Sequence, residues 1–109
     1  MERKQIDWEK TGRRLQLLRA DNLTLRKHVC RANNFDRKEC AGDCDNCVYD
    51  MDANISRAEL ANVFHVTENV IFNWENGITA VGLEDMLFYC RLAGVSLDDI
   101  IVYGKSVEV

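Results

Sequence analysis

Two helix starts follow one another so closely between residues 55 and 77 that little besides a tight helix–turn–helix pair satisfies both. Ser56 with Glu59 three residues on is a capping-box pattern, and Leu60, Ala61 and Phe64 then give one helix a buried side. Thr67 starts the next helix, with Val70, Ile71 and Trp74 at helical spacing, and Gly77 ends it. Two short helices meeting at a sharp angle need a small residue at their closest approach, and Ala61 supplies it. The tight turn then falls at His65-Val66, with Val66 plugging the space between the helices. A histidine tolerates the left-handed backbone conformation better than most side chains, so the turn survives at some strain. With Ile71 and Trp74 facing inward, Thr67, Glu68, Asn69, Phe72 and Asn73 are left facing outward.

The rest of the chain supports a helical reading. There is no proline and there are six glycines, so helix breakers are scarce. Leu15, Leu18, Leu25 and Val29, with Asn22 completing the spacing, predict one long first helix over residues 11–29; a break near Asp21-Asn22 is the alternative. Leu83, Met86, Leu87, Cys90 and Leu92 mark a fourth helix stopped by Gly94, and Ser96 caps a last short one with Leu97, Ile100 and Ile101. Residues 102–109 alternate loosely, as a tail or a strand would. The fold class expected is all-α with five helices, in a single domain spanning residues 1–109.

Residues 30–54 interrupt this pattern with turn residues such as Asn33, Asn34, Gly42 and Asp43, and with four of the five cysteines. Cys30, Cys40, Cys44 and Cys47 are spaced C-x9-C-x3-C-x2-C. Thiolates this close in a segment poor in apolar residues point to a metal, with tetrahedral Zn²⁺ the leading choice and an iron–sulfur cluster the alternative. Unligated or disulfide-linked thiols are the bland reading. Cys90, among Leu87, Phe88 and Leu92, reads as a buried, inert thiol. His28 reads as solvent-facing.

Charge is unevenly distributed. Residues 1–38 carry eleven Lys/Arg and five Asp/Glu, whereas residues 39–109 carry three and thirteen. A basic first third can steer the protein toward phosphates, although a solvated helix face explains it as well. No apolar run is long enough for a membrane span, and the charged start shows no signal-peptide pattern, so a cytoplasmic protein is expected. No nucleophile–base pair or phosphate loop appears, which argues against an enzyme.

The chain resembles the lambda-repressor-like, Cro/XRE-type helix-turn-helix regulators. The residues that carry the resemblance are Gly12-Arg13-Arg14-Leu15, Leu18-Arg19, Ile55-Ser56, Leu60-Ala61, Val66-Thr67, Ile71 and Trp74-Glu75-Asn76-Gly77. Leu83-Glu84-Asp85-Met86-Leu87 and Ala93-Gly94-Val95-Ser96-Leu97-Asp98-Asp99-Ile100 match the last two helices of that family. The resemblance implies a five-helix lambda-repressor-like domain with residues 30–54 as a cysteine-rich insertion. It also implies a transcriptional regulator, more often a repressor, that binds double-stranded DNA as a homodimer on a palindromic site. Its reading helix would be residues 67–76, set in the major groove.

Two departures from the family pattern stand out. His65 replaces the usual turn glycine. Arg57 replaces the usual glutamine, and can bind a phosphate or a guanine edge. Glu68 can accept from cytosine N4, Asn69 and Asn73 can pair with adenine, and Phe72 can touch a thymine methyl. Phosphate grip falls to Arg57, Arg13, Arg14, the backbone N–H groups at helix starts near Ser56, and the loop after Asn76. Residues 55–77 hold one Arg and three Glu, so the competing readings are a protein-binding adaptor or antitoxin-like module, or a metal- or redox-sensing regulator acting through the cysteines.

Overall fold

The computed structural model describes residues 2–33 and 55–108. A strand β1 (Glu2–Ile6) leads into helices α1 (Trp8–Asp21) and α2 (Leu23–Asn33). After the cysteine-bearing segment come α3 (Arg57–Phe64), α4 (Glu68–Glu75), α5 (Leu83–Ala93), the single turn α6 (Leu97–Ile100) and strand β2 (Tyr103–Glu108). The fold is all-α in class, as expected, with a small terminal ribbon added to it.

The long first helix is not continuous. Asn22 has an extended backbone and does two jobs there. Its N–H closes α1 on the Leu18 carbonyl at 3.0 Å, while its Oδ1 accepts from the Leu25 N–H at 2.8 Å and caps α2. An asparagine that bonds nearby backbone competes with the helix ladder, which accounts for the break. The apolar row persists across it: Leu15, Leu25 and Val29 are all fully buried. The described helices therefore number six, not five.

Residues 103–108 are a strand, paired antiparallel with β1 in the register Glu2↔Glu108, Arg3↔Val107, Lys4↔Ser106 and Ile6↔Tyr103, with an irregularity between Lys4 and Ile6. The ribbon is tied to the helices at its base. Val102 accepts from the Asp7 N–H at 2.7 Å and donates to the Oγ1 of buried Thr11 at 3.0 Å.

The core gathers Leu60, Ala61 and Phe64 of α3, Ile71 and Trp74 of α4, and Met86, Tyr89, Leu92 and Ala93 of α5 around the α1–α2 row. Phe64 is its hub, with ring centroids 4.6 Å from Tyr89, 4.8 Å from Phe88 and 5.5 Å from Trp74. Contacts of this kind add to area burial and hold α3, α4 and α5 at one set of angles. Two expected core residues lie outside it: Leu83 and Leu87 are 66% and 45% exposed. The buried face of α5 runs through Met86, Tyr89 and Ala93, which turns the leucines one turn apart to the surface. The Tyr89 hydroxyl is buried without a hydrogen-bond partner among the described residues. Burial, reinforced by the nearby Glu75 carboxylate, holds that phenol far above its ordinary range. Cys90 is half-buried; burial first, and Asp99 next, raise its thiol, so the structure agrees with an unreactive cysteine.

One close approach sets where α1 lies against α4. A Cβ built on Gly12 would stand 2.5 Å from the Trp74 carbonyl oxygen and 2.6 Å from that of Glu75. Helix propensity favours alanine over glycine by about 1 kcal/mol, whereas overpacking against backbone costs about 1–3 kcal/mol. Gly12→Ala is therefore expected to lower stability in urea denaturation, by up to about 2 kcal/mol. A rise would show that α1 and α4 are not in this contact.

Candidate nucleic-acid interface

The α3–turn–α4 unit is built as its sequence dictates. Ser56 Oγ accepts from the Glu59 N–H at 3.1 Å and the Ser56 N–H donates to Glu59 Oε1 at 3.2 Å, completing the capping box. His65 stands in the left-handed region at φ 57°, and the Val66 N–H returns to the Ala61 carbonyl at 3.1 Å. This C-terminal stop lets α4 leave at an angle after Val66 and the extended Thr67. Thr67 occupies the N-cap position of α4, but its side chain makes no capping bond. Gly77 at φ 70° closes the other end, where a Cβ would stand 2.6 Å from Glu9 Cα of α1.

With Ile71 and Trp74 buried, α4 presents Glu68, Asn69 and Phe72 to solvent, preceded by exposed Thr67; Asn73 is half-exposed. Arg57, from the first turn of α3, joins Thr67, Glu68, Asn69 and Phe72 around an open cleft of about 440 Å³. The structure thus brings together five of the residues picked out by sequence. It does not place the others in that cleft. Asn76 caps the end of α4, its Nδ2 donating to the Phe72 carbonyl at 2.8 Å. Ser56 is engaged in the α3 cap. Arg13 pairs with exposed Glu9 at 3.1 Å, and Arg14 donates to the Asp99 carbonyl at 2.9 Å.

Beneath the cleft lies a residue that the sequence reading did not single out as a functional group. Glu75 has a side chain 0% exposed and accepts three charge-assisted bonds. Arg19 of α1 donates Nε to its Oε2 at 2.7 Å and Nη2 to its Oε1 at 3.1 Å; Arg57 donates Nε to Oε1 at 2.9 Å. Arg19 also donates Nη1 to the Ile55 carbonyl at 2.7 Å. One carboxylate therefore ties α1, the start of α3 and the end of α4. The guanidinium carbon of Arg57 lies 5.2 Å from the Phe72 ring centroid, a cation–π stack on the exposed face of α4. A buried carboxylate is costly unless fully paired, so an acidic residue directly after a core tryptophan, with arginines elsewhere in the pattern, was the available signal.

Of the four clustered cysteines only Cys30, half-buried on α2, falls within the described residues; Cys40, Cys44 and Cys47 lie outside them. His28 is exposed, its Nδ1 3.1 Å from the Leu92 carbonyl.

Comparison with known proteins agrees with this geometry. Residues 51–100 match the helix-turn-helix family. The matched stretch contains the whole of α3 to α6, and it begins after the four clustered cysteines. That family is one of DNA-binding regulators, not normally enzymes. No curated protein and no solved structure matches the chain. Among the described residues, no helix is long and apolar enough to cross a membrane.

Removing the charge of Glu75 leaves two guanidinium groups without their shared counter-ion. Breaking a buried pair by removing one partner costs about 3–5 kcal/mol. Glu75→Gln is accordingly expected to lose roughly 3 kcal/mol in chemical denaturation. A loss below about 1 kcal/mol, the scale of a surface pair, would contradict the buried network.

Proposed function

We propose that the protein is a sequence-specific, DNA-binding transcriptional regulator, a cytoplasmic repressor that reads the major groove with α4. The observation that carries the reading is the exposed Thr67-Glu68-Asn69-Phe72-Asn73 face, presented by a helix-turn-helix whose angle is locked by the core and by Glu75. Asparagines, a carboxylate and an aromatic ring suit base edges and methyl groups better than they suit phosphates. A single short helix covers few base pairs, so the protein acts as a homodimer on a palindromic site. Leu83 and Leu87, exposed one turn apart on α5, leave apolar surface for a second copy to cover.

Gel-shift titration against a fragment of the protein's own promoter, at several salt concentrations, tests the reading. With few cations near the reading face among the described residues, the logarithm of affinity should fall with log salt at a slope of only about −3 per subunit. Asn73→Ala should narrow the gap between specific and non-specific duplex by roughly tenfold. Failure to prefer any promoter sequence would contradict the proposal. A second reading, a protein-binding adaptor or antitoxin-like module, is favoured by the 41% exposure of Phe72 and by one Arg against three Glu in residues 55–77; it predicts that same failure.

The cysteines are read as a Cys30, Cys40, Cys44 and Cys47 site for Zn²⁺, which would hold the segment between α2 and α3 together. An iron–sulfur cluster on the same thiolates would make the segment a sensor. Protein purified without air is expected to be colourless and to carry one zinc per chain by elemental analysis. Visible absorption with iron and sulfide would favour the cluster, and absence of stoichiometric metal would remove both.

A further inference from the structure

The cleft beside α4 holds groups of both signs, and that bears on what can enter it. Arg57 lines one side, and Glu68 and Asn69 line it as well, with Phe72 as the apolar wall. A phosphate offers only acceptors and negative charge, and meets the Glu68 carboxylate as a like charge. The major-groove edge of a G·C pair offers both kinds of partner side by side: the guanine N7 and O6 acceptors next to the cytosine N4 donor.

The Arg57 guanidinium is held for such a contact. Its Nε is taken by Glu75 Oε1, and its guanidinium carbon lies over the Phe72 ring, 5.2 Å from the centroid. Glu75 is fully buried and anchored on its other side by Arg19, so it does not swing away to let Arg57 move. Both Arg57 Nη nitrogens are without a hydrogen-bond acceptor among the described residues. A planar fork with its orientation already set is the form in which arginine reads two acceptors at once.

Resting on the DNA-binding reading above, we infer that this cleft recognises a G·C base pair: the Arg57 Nη groups donate to guanine O6 and N7, Glu68 accepts from cytosine N4, and Glu75 with Phe72 positions the guanidinium. Arg57 thereby becomes a specificity-determining residue and leaves the phosphate grip to Arg13, Arg14 and backbone N–H groups. Glu75 acts through Arg57 and touches no DNA.

Duplexes are selected from a random-sequence library with the full-length protein, and each guanine of the best duplex is then replaced by 7-deazaguanine, which pairs normally but lacks the N7 acceptor. One guanine per half-site is expected to be sensitive, its replacement weakening wild-type binding roughly tenfold. The same replacement should cost Arg57→Gln protein less than twofold, because the contact is already gone. Arg57→Met, which keeps the length of the side chain but offers no donor, should behave like Arg57→Gln, and Glu68→Ala should relax preference at the same pair. Thermal melts establish that each variant is folded; should Arg57→Gln not fold, Arg57→Met decides. A selected motif tolerant of 7-deazaguanine throughout, or equally sensitive in wild type and the Arg57 variants, overturns the inference and leaves DNA binding standing. Enrichment of no motif at all overturns the DNA-binding reading, and the inference with it.

Discussion

The buried Glu75 carboxylate is the interaction on which the rest of this structure depends. It sits at the end of α4, where the chain would otherwise be free to choose its angle to α1 and α3, and it is bonded to both through Arg19 and Arg57. A charge this deep is tolerated because it accepts three charge-assisted hydrogen bonds, two from Arg19 and one from Arg57. Gly12 makes the arrangement sterically feasible by letting α1 approach the Trp74 and Glu75 carbonyls. The aromatic contacts of Phe64 then fix the other side of α3 and α4 against α5.

From this follows a division of labour unusual in its charge balance. The exposed face of α4 carries no cation of its own, and among the described residues the arginine that lines its cleft comes from α3 and is oriented from below by a core carboxylate. Positive charge concentrated in residues 1–38 is the other source of attraction toward nucleic acid. Part of that charge is engaged within the protein, since Arg14 and Arg19 both donate to main-chain carbonyls. A weak salt dependence and a strong dependence on base identity are the natural consequences for a surface built in this way.

Local signals were the legible ones. The Ser56–Glu59 box, the left-handed His65, the stops at Gly77 and Gly94 and the outward face of α4 all rest on interactions within a few residues, and all appear where the pattern puts them. The break at Asn22 could be read only as an alternative to one long helix, because Leu15, Leu25 and Val29 keep helical spacing straight through it. Residues 102–109 could be read as a tail or a strand, but the pairing with residues 2–6 was hidden because its partners lie far apart in sequence, and pairing of that kind leaves no local mark. Leu83 and Leu87 are apolar at helical spacing, yet the tertiary fold buries their neighbours instead. Glu75 was visible within Trp74-Glu75-Asn76-Gly77, but its role depends on two arginines distant in sequence. The segment with Cys40, Cys44 and Cys47 lies outside the described residues, so its chemistry rests on spacing alone.

Glu75 thus holds Arg57 in place from below, and Arg57 in turn lines the cleft. Side-chain NMR of ¹⁵N-arginine-labelled full-length protein tests this most directly. The Arg19 and Arg57 Nε–H signals should exchange slowly with water, shift away from that of exposed Arg13, and lose both properties in Glu75→Gln protein. An Arg57 Nε–H exchanging as fast as that of Arg13 would contradict the account.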